Sequence, residues 1–304
     1  MKVVYFNITE RCNLKCWFCA AIIDRSAELS TAKVLSILDR IKVGKGDRVI
    51  INGGEATLHK GLCRIFKKIR ERGAQSQLFS NGIRLSKYDE ALRLAKCGMD
   101  YVCVPLYGRD AEHHDSMTGT RGSFSRTCRG IDNLCRLKHE GYPVRIEVKL
   151  LHCRPTHRSN PSIARWIIGR FPDIDCISVN PPLYTGEAGR NLGRFAIDMR
   201  KSKAWLNRTI RAIVEGGMKC SMPHIPYCVL DRKLQGDEHR RTFLPYPMRM
   251  PVHYFDPNIP NGVRTEDHPR WIGECLKCRY KIKCPGFIPQ NLGNINTDKS
   301  ALNI

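Results

Sequence analysis

Residues 3–20 read VVYFNITERCNLKCWFCA, a β-branched run followed by three cysteines, Cys12, Cys16 and Cys19, at C-x-x-x-C-x-x-C spacing. The run at 3–8 has the composition of a strand, so the thiols fall on the loop that leaves it. A helical pattern at 30–43 then leads to RVIING at 48–53, which makes a βαβ opening. Helical patterns near 60–72, 86–97 and 123–140 alternate with strand-like runs at 77–81, 101–106, 144–151 and 176–180. Six strands alternating with helices predict an α/β chain whose parallel sheet is open or curled into a partial (β/α)6 barrel, because β-α-β crossovers are right-handed. Functional loops in such folds leave the C-terminal ends of the strands, and the cysteine triplet lies on the first of them.

The 304 residues are 42% hydrophobic, enough for one large domain with a small appendage. A basic helical segment at 198–215 is followed by Pro223, Pro226, Pro245, Pro247, Pro251, Pro257 and Pro260 in a stretch of weak periodicity. This change of character predicts a core over 1–217, a small cluster-binding module over 218–290 and a flexible tail over 291–304. Lys and Arg outnumber Asp and Glu by 51 to 29, a formal charge of +22, which points to a polyanionic partner. The start lacks the charged and apolar regions of a signal peptide, and no run of 18 apolar residues follows, so a cytoplasmic protein without a membrane partner is expected. In that compartment fifteen cysteines point to metal, cluster or redox roles before a disulfide framework.

A structural zinc site takes four ligands, and the first group has three. Three thiolates on a loop suit a 4Fe-4S cluster with one iron left open to a small chelating molecule. The triplet, Phe18 before its third cysteine, Gly53-Gly54-Glu55 after the second strand and Ser80-Asn81-Gly82 after the third form a pattern. Gly108, His114, Asp115, Gly122 and Phe124 extend it within 106–131. Over roughly the first 215 residues the chain resembles the radical S-adenosylmethionine (radical SAM) superfamily.

That resemblance implies that the open iron binds the amino and carboxylate groups of SAM. Gly53, Gly54 and Glu55 would hold the amino group, the glycines by close backbone approach, although a turn explains them too. Phe18 would offer its backbone to adenine while its ring packs. Ser80 is a hydroxyl for the SAM carboxylate or ribose, or a turn residue. Two positions depart from the pattern. Ala56 stands where many relatives have proline, and Pro105-Leu106-Tyr107-Gly108 stands where a serine and Leu-His-Gly are common, so that either another group supplies the missing hydroxyl or Tyr107 does part of its work.

A second group, Cys275, Cys278 and Cys284 before Pro285-Gly286, reads by itself as a zinc site. Beside the radical SAM resemblance it looks like a SPASM or twitch module holding a second, auxiliary 4Fe-4S cluster. Cys228 is the first choice for its fourth ligand and Cys220 the second, with a small buried hydrophobe the other reading of Cys228. Cys97, Cys103, Cys128 and Cys135 read as core residues, and one of the unassigned thiols could return a hydrogen atom to a product radical.

In VRIEVKLL, alternation puts Arg145, Glu147 and Lys149 on one face, costly on a central strand unless that face lines a wet cavity, and cheap on a solvated edge strand. Asn180, with Tyr184 and Thr185, lies on the loop after the sixth strand, where contact with SAM or substrate and simple turn formation compete. His113 and His114 read first as loop residues after strand four. The basic runs are Arg64, Lys67, Lys68, Arg70 and Arg72, then Arg200, Lys201, Lys203, Arg208 and Arg211, and finally Lys277, Arg279, Lys281 and Lys283.

The family resemblance implies reductive cleavage of SAM to a 5′-deoxyadenosyl radical that takes hydrogen from carbon, fed by an electron donor such as flavodoxin or ferredoxin. Charge favours a nucleic-acid base or nucleotide as substrate. The alternatives are a maturase of ribosomally made peptides, though strand one starts too early for a leader-binding domain ahead of it, a dehydrogenase of an anionic sugar or metabolite, and a zinc-stabilised nucleic-acid-binding protein.

Overall fold

The computed structural model describes residues 2–20 and 25–235, the stretches 243–244, 252–255 and 264–265, and residues 275, 277, 278 and 284. Seven strands pair in parallel in sequence order: β1 (Val3–Asn7), β2 (Arg48–Asn52), β3 (Gln75–Phe79), β4 (Tyr101–Pro105), β5 (Arg145–Leu151), β6 (Cys176–Asn180) and β7 (Lys219–Ser221). Two short strands extend the edges in parallel, β8 (Phe243–Leu244) beside β7 and β9 (Val252–Phe255) beside β1, and β10 (Arg264–Thr265) runs antiparallel to β9. Among the described residues β8 and β10 do not pair, so the sheet curves without closing, as a partial barrel.

The helices are α1 (Thr31–Arg40), α2 (Leu62–Glu71), α3 (Tyr88–Cys97), α4 (Ala111–Thr118), α5 (Ser123–His139), α6 (Asn160–Arg170), α7 (Gly186–Arg190), α8 (Leu192–Phe195), α9 (Lys203–Glu215) and α10 (Arg232–Gln235). Local chemistry sets several boundaries. Ser30 accepts from the Lys33 backbone N–H to start α1, Asp110 does the same for His113 in α4, and Gly98 takes a left-handed conformation to stop α3. The α4 helix replaces the loop expected at His113 and His114.

Alternation along the strands divides the sheet into two chemistries. One face sends Val4, Ile51, Leu78, Val104, Val148 and Val179 against Leu38, Phe66, Ile131 and Ile167 of the helices, forming the main core. Full burial of each such side chain contributes about 1.5–3 kcal/mol. The other face lines the barrel with Tyr101, Cys103, Glu147, Lys149, Ser178 and Asn180. Because β5 lies between β4 and β6, the edge-strand reading of its charges does not hold.

The boundary expected near 218 falls inside the sheet. Lys219–Ser221 pairs with β6, and Cys220, Ile225, Val229, Leu230 and Phe255 join the main core, so the described part of 218–290 continues the fold. The tail at 291–304 lies outside the described residues. Cys97 is buried as expected but is disulfide-bonded to Cys63, because α2 and α3 pack side by side. No helix of the described residues is long and apolar enough to cross a membrane.

The approach of α5 to the loop after β3 requires glycine, since a Cβ on Gly130 would collide with the Gly82 carbonyl, whereas one on Gly169 in α6 meets open space. Gly130→Ala is expected to cost about 1–3 kcal/mol of unfolding free energy. Gly169→Ala should be neutral or stabilising by up to about 1 kcal/mol. Urea unfolding of the two variants checks both values.

Candidate active site

The cysteine loop is fastened from the strand edge. The Gly54 N–H donates to the Thr9 carbonyl at 2.6 Å and the Glu55 N–H to the Arg11 carbonyl at 2.8 Å. A Cβ on Gly53 or Gly54 would strike the backbone carbonyls of Thr9, Glu10 and Arg11, so two glycines are the condition for this contact. The Glu55 side chain points inward and is fully buried. One of its oxygens accepts from the Thr57 N–H at 3.1 Å, the Thr57 hydroxyl and the Ser80 hydroxyl at 2.8 Å, and the other accepts from the Asn81 N–H at 2.7 Å. Burial pushes its carboxyl up from the ordinary value against the pull of these donors. Asn81 in turn donates from its amide to Asn13 in the cysteine loop at 2.7 Å. Glu55 and Ser80 thus join the loops after β1, β2 and β3, with Ser80 Oγ also accepting from the Gly82 N–H at 3.1 Å. Ala56 begins a short 3-10 turn capped by Glu55 itself, which makes the turn without proline.

The loop after β6 grips the other side. The Ala188 N–H donates to the Cys19 carbonyl at 3.3 Å, the Thr185 hydroxyl to the Ala20 carbonyl at 2.8 Å, and the Asn191 amide to the Trp17 carbonyl at 2.9 Å. Beneath it lies a second small core. Phe18 stacks on Phe195 with centroids 5.3 Å apart and meets the Tyr107 ring edge-on at 5.0 Å, joined by Met117, Leu151 and Tyr184. The ring of Phe18 is therefore a packing element. The Tyr107 N–H donates to His114 Nδ1 at 3.3 Å, which places the ring proton on Nε2, and burial pushes the His114 pKa down to about 4.

Cys12, Cys16 and Cys19 are half-buried. Among the described residues no three Cys, His, Asp or Glu side chains close on the position of one metal ion, and these three thiols stand within electrostatic reach of one another. Burial pushes the Cys12 thiol up to about 11 and Cys16 higher still, with the neighbouring thiols adding to the effect. A cationic group bound between them would reverse that and hold all three as thiolates.

Deeper in the barrel, Glu147 accepts from the Tyr101 hydroxyl at 2.5 Å and from the Cys103 thiol at 3.4 Å, and Cys176 lies 3.5 Å from the Tyr101 oxygen. Lys149, two residues nearer the mouth, is half-buried with its ammonium 5.6 Å from the Phe79 ring centroid. Asn180 is buried at the end of β6, donating to Ser178 Oγ at 3.0 Å. Arg145 does not join them. It is exposed at the N-terminal end of β5, a strand length from the cysteine loop, because a seven-residue strand spans the wall from end to end.

Residues 6–146 match the Radical SAM superfamily. That stretch, from β1 to the start of β5, is a radical SAM domain. It is 34% identical over 134 residues to the Fe-coproporphyrin III synthase of Methanosarcina barkeri, covering 43% of this chain and 33% of that enzyme. It is 27% identical over 207 residues to the pre-heme d1 synthase of Dinoroseobacter shibae, covering 66% and 48%. The chain thus spans a third to a half of these curated relatives. The crystal structure of Streptococcus suis SuiB bound to its precursor peptide SuiA shares the fold at a TM-score of 0.66 and 14% identity, over 95% of this chain and 72% of that one. The radical SAM match implies a 4Fe-4S cluster and SAM, and three thiols within electrostatic reach of one another fit a three-ligand cluster.

Cys275, Cys278 and Cys284 of the second group are among the described residues. Cys228 is exposed on a turn at Tyr227–Val229, and its thiol is pushed up to about 11 by burial and by the nearby Cys284 and Cys275 thiols. The Cys278 N–H donates to the Cys275 carbonyl at 3.2 Å. Cys220 is not with them, because β7 turns it into the main core. The remaining residues of 279–283 lie outside the described ones.

Sequence reasoning missed Tyr101, Cys176 and His224. The first two were available from alternation in YVCVP and CISVN, whereas their meeting at Glu147 needed the strand register. His224 takes a left-handed backbone at φ 61°, and burial with Lys149 nearby pushes its pKa down to about 4, for which no local signal exists.

Removing the Glu55 carboxylate leaves the Thr57, Ser80 and Asn81 donors buried without partners. Glu55→Ala is expected to cost about 2–4 kcal/mol and to open the cysteine loop to protease, while Ser80→Ala costs about 1 kcal/mol. Urea unfolding and timed proteolysis of the two variants measure the difference.

Proposed function

We propose that this chain is a SAM-dependent radical enzyme acting on a small, carboxylate-bearing substrate held inside the barrel. When bound, the cluster and SAM supply a reductive cleavage whose carbon-centred product takes hydrogen from unactivated carbon. Cys12, Cys16 and Cys19 are the residues to hold the cluster, on a loop clamped by the Gly53–Glu55 edge and by the loop after β6. The Phe18, Phe195 and Tyr107 rings exclude water from the thiols' inner side.

Lys149 carries the substrate reading. It is half-buried on the inner face of a central strand, and among the described residues no carboxylate forms a salt bridge with it. Glu147, the nearest acid along β5, is engaged by Tyr101 and Cys103. A partly desolvated ammonium without a counter-ion is unfavourable, so an incoming anion gains more here than at the surface. The M. barkeri and D. shibae relatives are named for Fe-coproporphyrin III and pre-heme d1, and coproporphyrin carries peripheral carboxylates, which supports the same chemistry.

The nucleic-acid preference loses its ground in the same structure. Lys68 and Arg72 pair with Asp39, Arg70 donates to the Lys96 carbonyl, and Arg211 pairs with Asp231, all on outer helices. These paired members of the first two runs lie on solvated helix faces, and of the third run only Lys277 is among the described residues. For the second group, the nearness of Cys228 to Cys275 and Cys284 supports an auxiliary cluster with Cys228 as its fourth ligand. A flavodoxin- or ferredoxin-type protein remains the electron donor in this reading.

Anaerobically reconstituted protein is expected to be brown with about eight irons, falling to about four in Cys12→Ala/Cys16→Ala/Cys19→Ala and to about four in Cys275→Ala/Cys278→Ala/Cys284→Ala. Colourless protein holding zinc alone overturns the reading. Coproporphyrin III should stimulate 5′-deoxyadenosine formation under reduction, and Lys149→Met should weaken its binding about 10- to 100-fold, the worth of a charge-assisted contact. Stimulation by RNA or GTP alone, with Lys149→Met neutral, would show that the substrate class is wrong.

A further inference from the structure

The barrel wall carries a group of side chains that cluster and SAM binding do not use. Cys103 faces inward on β4 and is fully buried, with its thiol donating to Glu147 at 3.4 Å. The other Glu147 oxygen accepts from Tyr101 at 2.5 Å, and the Tyr101 oxygen lies 3.5 Å from Cys176. In the strand register Cys103 stands opposite Glu147 and Pro105 opposite Lys149, so the thiol lies one inward-facing layer below the Lys149 ammonium. That layer is about 7 Å deep, two residues of strand rise. Tyr107 meets Phe18 of the cysteine loop edge-on, and its phenol lies within electrostatic reach of Cys16, Cys19 and Cys103.

Resting on the function proposed above, we propose that Cys103 returns the hydrogen atom that ends the substrate's radical phase. A substrate anchored by its carboxylate on Lys149 has the cysteine loop and SAM above it and the Cys103 thiol below. Hydrogen leaves its carbon toward the mouth, and a hydrogen atom comes back from the floor of the barrel. In that return the S–H bond of Cys103 breaks and a C–H bond forms on the substrate, a downhill exchange because an S–H bond is weaker than an alkyl C–H bond. The sulfur radical left on Cys103 is reduced by one electron from the same low-potential flavin or iron–sulfur protein that serves the cluster, and takes one proton from water. Glu147 is a positioning residue that aims the thiol, and the contact through it to Tyr101 and Cys176 offers two further oxidisable groups over which the radical can pass.

Burial supports this assignment. It pushes the Cys103 thiol well above the ordinary range, so the sulfur keeps its hydrogen at neutral pH and is a poor nucleophile or metal ligand. Of the other thiols outside the two cysteine groups, Cys128, Cys135 and Cys220 belong to the main core against the helix layer, Cys63 and Cys97 are joined to each other, and Cys153 packs in the small core around Phe18. Cys176 shares the inward layer but meets Tyr101 rather than Glu147.

The test is reductive turnover of the reconstituted enzyme with SAM in deuterated water, where the thiol exchanges to S–D, once with coproporphyrin III and once with no substrate. In the wild type, deuterium is expected in recovered porphyrin, and in 5′-deoxyadenosine when substrate is absent. Deuterium per molecule of 5′-deoxyadenosine formed, or per porphyrin turned over, should fall at least tenfold in Cys103→Ser, which keeps the hydrogen bond to Glu147 but has an O–H bond too strong to give. Iron content of the variant shows that it is folded. Unchanged deuterium in Cys103→Ser overturns the role of Cys103 while leaving the SAM chemistry intact, and a wild type that forms no 5′-deoxyadenosine in either arm overturns both. A separate readout needs no cofactor. The infrared S–H stretch of the unreconstituted protein should include a band lowered by hydrogen bonding that disappears in Cys103→Ser and moves to higher frequency in Glu147→Gln, and its absence from the wild type counts against the proposal.

Discussion

The carboxylate of Glu55 is the point on which the geometry of the site depends. A buried charge-bearing group is tolerated only when its oxygens are fully engaged, and here donors from Thr57, Ser80 and Asn81 engage both. Thr57 comes from the loop after β2 and Ser80 and Asn81 from the loop after β3, so satisfying one acid sets the relative position of these two loops. Asn81 passes that constraint on to Asn13, and Gly53 and Gly54 pass it on to Thr9 and Arg11 through backbone contact. The thiols of Cys12, Cys16 and Cys19 therefore sit on a loop whose own sequence has little to order it, held by groups supplied from outside. Glu55 also lies near enough to Cys12 to oppose its ionisation, so the thiol site is electrostatically poised to accept positive charge.

The second constraint is the parity of the strands. Outward residues build an apolar layer against the helices, and this layer carries the stability. Freed from that duty, the inward residues of β4, β5 and β6 are polar or oxidisable: Tyr101, Cys103, Glu147, Lys149, Cys176 and Ser178. A central strand with charges on one face would be a defect in a flat buried sheet. Curvature converts that face into the wall of a chamber, where hydrogen bonding settles Glu147 and leaves Lys149 available.

What the sequence made legible follows the same physics. Six strands were readable because each carries a strong apolar alternation against a helix layer, and the triplet with its Gly-Gly-Glu companion was readable because those residue types are needed locally. β7 is three residues long and β8, β9 and β10 lie among prolines, so too few residues alternate to register as strands, although pairing with the existing edges makes them part of the sheet. α4 escaped because AEHHDSMT is polar on most of its circumference and is started by the Asp110 cap. The Cys63–Cys97 bond joins residues 34 apart on two helices and has no local signature at all. Glu55 and Ser80 read from the pattern as ligand contacts, and their hydrogen bond to one another depends on side-chain direction and lies beyond spacing.

The charge of the whole chain and the charge of the chamber answer different questions. A surplus of +22 sets the long-range field and the tendency to attract polyanions, and most of its members sit on outer helices where water screens them and aspartates neutralise several. Specificity comes from a charge that water reaches poorly and that no protein group answers, because only there does a ligand's own charge change the balance by more than a fraction of a kcal/mol. Lys149, one residue among 51 basic ones, stands where alternation and curvature coincide, and among the described residues no carboxylate forms a salt bridge with it. A count of charges weighs it no more than any surface lysine. The fold gives it different weight, and the proposed carboxylate-bearing substrate rests on that weight.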